Sequence, residues 1–249
     1  MTAPAEQGQR LLYLYGFVLP GTVVPEDLTG IDGGAVRLVD LGRVSALVSE
    51  VPDAELIGLP AEIRAHASVL DAAAQAGPVL PVQFGTAMPD ADSLAPAVAG
   101  EQDEYVDELH RLADVVQLAV RARYVGETVM AELVEEDPEI RQLREATRGR
   151  DEDSTYYERV RLGELVVAGF DRKRAEDAAA LQDELAPYVA DLAVRERAEV
   201  EDVLDVAVLV RRAEVEHFED ALEGLAARTV GRITFRLVGP QAPYDFTES

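Results

Sequence analysis

The side chains that could take part in chemistry are three histidines and several runs of carboxylates. His66, His110 and His217 lie far apart, each inside a predicted helix, and none has the His-Glu-x-x-His spacing of a zinc site. We therefore interpret all three as side chains on a helix surface or at the edge of a core. The chain contains no cysteine, which excludes disulfides, thiolate metal ligands and cysteine nucleophiles.

Three acidic clusters have oxygen ligands that suit a hard cation. None has the Asp-x-Asp-x-Asp-Gly layout of a calcium loop, so we interpret them as solvated faces. Nucleophile-elbow and phosphate-loop motifs are also missing from the sequence. We predict no catalytic residue, no metal and no cofactor. The clusters are Glu135-Glu136-Asp137, Asp151-Glu152-Asp153 and the group Glu199, Glu201, Asp202 and Asp205.

Two pairs of arginines are candidates for binding. Arg211 and Arg212 follow a predicted central strand, and Arg121 and Arg123 lie on the polar face of another strand. With 48 acidic and 23 basic residues in the chain, we expect these arginines to pair with acidic neighbours. A binding patch is the alternative for each pair.

The charge and hydropathy of the chain exclude several classes of function. A net charge of −25 repels phosphate backbones and anionic lipid, which argues against nucleic-acid and membrane-surface partners. No apolar run approaches the roughly 18 residues of a membrane span, and residues 1–10 lack a signal-peptide core. The prediction is a cytoplasmic protein.

The front half is organised around residues 77–86, an apolar run with two prolines and a closing glycine. This composition predicts a buried strand over 78–84, with its prolines at the strand start or on an outer edge. The other predicted elements of this half are a strand over 11–19, a hairpin of 35–40 and 43–49 that turns at Gly42, a helix over 60–76 and a helical region over 89–113.

The back half opens with the clearest alternation in the chain, a half-buried strand over 115–124. Pro138 lies inside the next helical pattern and is expected to break or kink it. The remaining predicted elements are helices over 127–146 and 156–188, strands at 192–194 and 203–210, a helix over 214–227 and a strand over 231–238.

This order predicts an α+β protein of two ferredoxin-like lobes, each a modified βαββαβ unit. The first lobe, residues 1–114, has a loop in place of its first helix. The second, residues 115–249, carries a long helical insertion and a C-terminal tail.

Several segments, taken together and in order, resemble the gas vesicle protein family GvpF/GvpL. They cover about residues 11–246. The closing segment departs from the family pattern, because Gln241, Ala242 and Asp245 replace its usual tryptophan, proline and serine. The segments are Tyr13-Leu14-Tyr15-Gly16, Leu38–Pro52, His66–Leu70 with Gly77–Thr86, Tyr156-Tyr157 with Gly163-Glu164, Val208–Val210 and Gly239–Phe246.

The resemblance implies a non-enzymatic accessory or minor structural protein of the gas vesicle. It further implies binding to the small hydrophobic shell protein GvpA, a role in vesicle nucleation and assembly, and other gas vesicle accessory proteins as further partners. The candidate contact residues are Pro81, Phe84, Arg211, Arg212 and Tyr244.

Two alternatives stand beside this interpretation. A small-ligand sensor or enzyme on a ferredoxin-like scaffold would show a concave pocket with converging polar groups. A regulator that dimerises through a sheet edge would change mass with concentration.

Overall fold

The computed structural model describes residues 10–52, 58–196 and 199–247. The chain divides into two compact units. The first unit combines Met1–Leu118 with Gly239–Ser249, and the second unit is Ala119–Val238. The predicted division into lobes of residues 1–114 and 115–249 stays a prediction.

The described part of the first unit is built on one β-sheet and three helices, and its first strand lies in the middle of the sheet. The sheet order is β2-β3-β1-β4, and β5 pairs with β1 beside this path. All the pairings of β1, and the β2–β3 hairpin, are antiparallel. The strands are β1 Arg10–Val18, β2 Arg37–Asp40, β3 Ser45–Pro52, β4 Val79–Pro81 and β5 Ala87–Met88, and the helices are α1 Pro60–Ala76, α2 Leu94–Val98 and α3 Gln102–Arg111.

Strand β1 is buried on both faces, as its unbroken apolar run predicts. Successive side chains of a strand point to opposite faces. Tyr13 and Tyr15 therefore join the core beside α1, whereas Leu12 and Leu14 join a second core beside α2 and α3.

The predicted strand at 78–84 is shorter in the structure, where β4 covers Val79–Pro81. Proline has no N–H to donate to a ladder, and β4 lies at the sheet edge as that rule requires. Beyond it, Val82 N–H still donates to Tyr15 O at 3.0 Å, and Gly85 then adopts a φ of 94° in the turn. The helical region over 89–113 is two helices, α2 and α3.

The second sheet, whose strands belong mainly to the second unit, repeats the same strand order, β7-β8-β6-β9, so it again runs second, third, first, fourth. Strand β6 has the bounds that its alternation predicts. The α+β class is confirmed, and the ferredoxin-like description stays a prediction. The elements are β6 Val115–Tyr124, α4 Gly126–Glu136, α5 Pro138–Thr147, α6 Tyr156–Leu185, β7 Asp191–Val194, β8 Asp202–Arg211, α7 Val215–Arg228 and β9 Ile233–Gln241.

Pro138 divides the helical insertion as predicted. The carboxylate of Asp137 accepts the N–H groups of Glu139 at 2.8 Å and of Ile140 at 3.3 Å, which caps α5 at its first turn. Within the described ranges, no helix has both the length and the apolar character needed to cross a bilayer.

Candidate functional site

A buried hydroxyl–imidazole contact lies directly beneath the 77–86 segment. The hydroxyl of Tyr13 lies 2.8 Å from Nδ1 of His66 and accepts the N–H of Gly85 at 3.0 Å. Since the Tyr13 oxygen already accepts, its proton is available for Nδ1. Burial lowers the pKa of His66 to about 4 and raises the pKa of Tyr13 to about 12, so the pair is neutral near pH 7.

The neighbouring Tyr15 uses its hydroxyl to hold the loop before β2. Its oxygen accepts the N–H of Ile31 at 2.9 Å and lies 2.8 Å from Oγ of Ser49. Gly30 allows this approach, because a Cβ at that position would lie 1.8 Å from the Tyr15 hydroxyl. Burial raises the pKa of Tyr15, which keeps this hydroxyl neutral as well.

Two of the predicted contact residues belong to the same region. Pro81 is buried at the end of β4, opposite Gly16 of β1. Phe84 is half-buried, with its ring centroid 5.6 Å from that of His66 and 6.2 Å from that of Tyr13. Both residues therefore pack on the first unit, and a role in partner contact stays a prediction.

The C-terminal segment returns to the first unit, which the sequence reasoning did not foresee. Ala242 is fully buried, and its N–H donates to Oδ1 of Asp71 at 2.9 Å. The amide of Gln117 donates to Asp245 at 2.8 Å and accepts the Asp245 N–H at 3.2 Å. Burial raises the pKa of Asp71, and the bond from the Ala242 N–H opposes this rise.

Tyr244, a third predicted contact residue, lies over the imidazole of His66 with ring centroids 6.2 Å apart. Its side chain keeps 38% of its surface exposed. Burial raises the pKa of the Tyr244 hydroxyl, and Asp71 and Tyr13 add to the rise. The structure thus brings the rings of Phe84 and Tyr244 to within 5.6 and 6.2 Å of the ring of one buried histidine.

The second unit holds charged groups where the first holds neutral ones. Asp202 is fully buried, and its carboxylate accepts from Arg121 at 3.0 and 2.5 Å and lies 3.2 Å from Nε of Arg123. The Arg121 bond lowers the pKa of Asp202 although burial opposes it. The prediction that Arg121 and Arg123 pair with acidic neighbours is confirmed. The interpretation as a solvated face is wrong for Asp202, because this residue is the first residue of the buried strand β8 and is itself fully buried.

A second ion-pair network joins α4, α6 and the turn before β9. Arg232 donates to Glu132 and to Asp177, both at 2.8 Å, and Lys173 contacts Glu132 at 3.0 Å. Burial opposes the ionised form of Glu132, but bonds from Arg232 and Lys173 outweigh it and lower the Glu132 pKa. Tyr124 donates its hydroxyl to Asp177. Each charge thus has an opposite partner, which is what burial of charge requires.

Arg211 and Arg212, the last predicted contact residues, are exposed at the end of β8. Arg211 lines a cavity of about 490 Å³ with Tyr188 and Glu214. The two arginines belong to the second unit and the other three candidates to the first. A shared binding role for these five residues stays a prediction.

The remaining histidines behave as ordinary surface residues. His110 is exposed on α3, and His217 contacts Glu214 at 2.8 Å on the exposed face of α7. Across the described residues, no group of three potential ligands is placed to hold a metal ion. Nε2 of the buried His66 has no hydrogen-bond partner among the described residues.

Known proteins resemble the chain over nearly all of its length. Gas vesicle protein F of Streptomyces sp. (strain CB03234) is 31% identical over 240 residues, which is 95% of this chain and 99% of that protein. Crystal structures of GvpF from Microcystis aeruginosa and Anabaena sp. PCC7120 share the fold, with TM-scores of 0.76 and 0.78 at 19% identity. Each match covers 96% of this chain and 99% or 98% of the other.

A family model described as gas vesicle synthesis protein GvpL/GvpF matches residues 11–248. The match takes in the buried Tyr13–His66 contact, the ion pairs of the second unit and the returning C-terminal segment. The predicted resemblance is therefore confirmed, and the chain belongs to the GvpL/GvpF family of gas vesicle proteins.

Proposed function

We propose that this chain is an accessory or minor structural protein of the gas vesicle that binds the small hydrophobic shell protein GvpA and assists nucleation and assembly. The observation that carries the proposal is the family match over residues 11–248. The 31% identical gas vesicle protein F supports the same general role.

The charge of the chain supplies a physical reason for such a role. Subunits of a gas-filled shell expose apolar surface and strand edges, which makes them prone to aggregate. A partner with a net charge of −25 repels other copies of itself. A complex with this chain therefore keeps shell subunits dispersed until they are added to the shell.

A binding experiment tests this function directly. Immobilised chain is expected to retain GvpA from solution at low and at moderate salt, and no retention at either salt would reject the proposal. The first-unit surface is tested by a photo-crosslinking residue at Tyr244, with one at Tyr157 as the matched control because it replaces the same residue type at an 83% exposed position. Crosslinks from Tyr244 alone support the predicted contact residues of the first unit, and crosslinks from Tyr157 alone reject them.

A further inference from the structure

A cavity of about 290 Å³ lies at the surface of the first unit, where α3, β4 and the C-terminal segment meet. This volume is just under the roughly 300–1,000 Å³ of pockets that enclose whole small molecules, so the cavity suits a single side chain. Its lining combines apolar and charged residues. They are Leu80, Glu104, Tyr105, Glu108, Arg111 and Phe246.

The apolar part of the lining is held in place by the first unit. Leu80 of β4 is only 7% exposed. Phe246 is half-buried, and its carbonyl accepts from Arg111 at 2.7 Å. The ring of Tyr105 stacks on Phe17 of β1 with centroids 4.8 Å apart, which fixes the orientation of the tyrosine. A ligand in this cavity therefore contacts apolar carbon and an aromatic ring that are already positioned.

The polar side chains of the lining differ in whether they have a partner. Both oxygens of Glu108 accept from Arg111, with the Nε bond at 2.9 Å. Tyr105 donates its hydroxyl to Glu101. Glu104 has neither a hydrogen bond nor an ion pair with any residue that the structure describes. The cavity thus has one carboxylate at its rim whose hydrogen-bonding capacity is available to a ligand.

Charge decides which ligand this arrangement favours. A carboxylate would be repelled by Glu104 and by the net charge of −25. An apolar ligand would displace water from Glu104 without giving it a hydrogen bond, which is costly. A positive charge on an aliphatic stem suits both parts of the lining, because the stem contacts Leu80 and Phe246 while the charged head pairs with Glu104.

We infer that this cavity, with Glu104 at its rim and Tyr105 in its wall, binds the side chain of an arginine on the surface of a partner protein. A guanidinium is planar and weakly hydrated, so it can stack on an aromatic ring and donate two parallel N–H groups to one carboxylate, whereas the ammonium of lysine is a strongly hydrated point charge. A second copy of this chain is a poor source of the arginine, because each copy carries a charge of −25. Recognition of this kind does not depend on the proposed function, since it holds for any partner whose surface presents an arginine.

Short peptides isolate the side chain that is recognised. The probe is a blocked pentapeptide with one arginine between glycines, and its matched control has citrulline, which keeps the shape of arginine without the charge. In an NMR titration at low ionic strength, the arginine peptide is expected to shift the amide signals of Glu104 and Tyr105 saturably, and the citrulline peptide to bind at least fivefold more weakly. Equal binding of the two peptides, or no saturable shift with arginine, overturns the inference.

Two variants of α3 separate the cavity from the general attraction of an acidic chain. Glu104→Gln removes the carboxylate at the rim, and Asp107→Asn removes an equal charge from an exposed position of the same helix outside the cavity lining. We expect Glu104→Gln to weaken binding of the arginine peptide at least fivefold and Asp107→Asn to change it less than twofold. Equal weakening by both variants would assign the binding to overall charge and overturn the inference.

Light scattering of the chain alone tests the remaining source of the arginine. The unmodified chain and the Glu104→Gln variant are expected to give the same mass at every concentration. A dimer of the unmodified chain that Glu104→Gln converts to a monomer would place the arginine on a second copy and overturn its assignment to a different protein.

Discussion

The two units share a strand order but satisfy their buried polar groups in opposite ways. The first unit uses neutral groups, with Tyr13 bonded to His66 and Tyr15 to Ser49. The second uses full charges, such as Asp202 with Arg121. A neutral network loses stability when one of its members becomes charged, whereas a charged network loses it when one partner is removed. The two units are therefore destabilised by different changes, although their strand order is the same.

The largest effect is expected from removal of the partner of the buried charge. Arg121→Ala leaves the fully buried carboxylate of Asp202 without its strongest donor and is expected to destabilise the second unit by about 4 kcal/mol. Amide exchange of β6 and β8, read by mass spectrometry, measures this change within one unit. Glu199→Ala is the matched control, because Glu199 pairs with Arg123 at an exposed position and is expected to cost less than about 1 kcal/mol. Equal costs for the two variants would remove the distinction between the units.

The next effect is a loss of stability with acid in the first unit. The folded pKa of His66, about 4, lies below the ordinary value of 6.5, so the unfolded chain binds the proton first. The contribution of His66 to stability is therefore constant above pH 6.5, falls as the pH drops from 6.5 to 4 and is constant again below, with a total loss of about 3 kcal/mol. His66→Gln keeps an acceptor for Tyr13 but does not titrate. A stability difference between the two proteins that stays constant from pH 7 to pH 4 would contradict this account.

A smaller effect is expected at Phe84. A fully buried phenylalanine costs about 3–5 kcal/mol when cut to alanine, but Phe84 is half-buried, so we expect about 2 kcal/mol for Phe84→Ala. Phe84→Leu serves as the control with most of the volume retained. Exchange of α1 amides measures the stability, and GvpA retention measures binding. A Phe84→Ala protein that is as stable as the unmodified chain and fails to bind would make Phe84 a contact residue instead of a packing residue.

The sequence predicted those helices and strands whose apolar residues follow a single regular spacing. Strand β6 follows from strict alternation, and β8 follows from the apolar run 203–210, which the structure extends by one residue at each end. Pro138 marked the break between α4 and α5 because proline cannot continue a helix. These signals are local, so one sequence suffices to read them.

Contacts between distant residues could not be read in this way. Tyr13 and His66 are 53 positions apart, and Ala242 and Asp71 are 171 apart, so no periodicity links them. Asp202 did leave a signal, because it directly precedes the apolar run 203–210. Among so many acidic residues, that signal was indistinguishable from a solvated cluster.

The return of the C-terminal segment has a consequence for synthesis of the protein. Ala242 is part of the same core as Tyr13 and Val69, so the interior of the first unit includes a residue that is synthesised more than 150 positions after the rest of that core. A nascent chain can pair β1 with β3 early, but it cannot complete this core until residue 242 has left the ribosome. Premature termination anywhere upstream of residue 242 therefore yields a first unit with an unfilled interior, which quality-control proteases recognise by its exposed apolar surface.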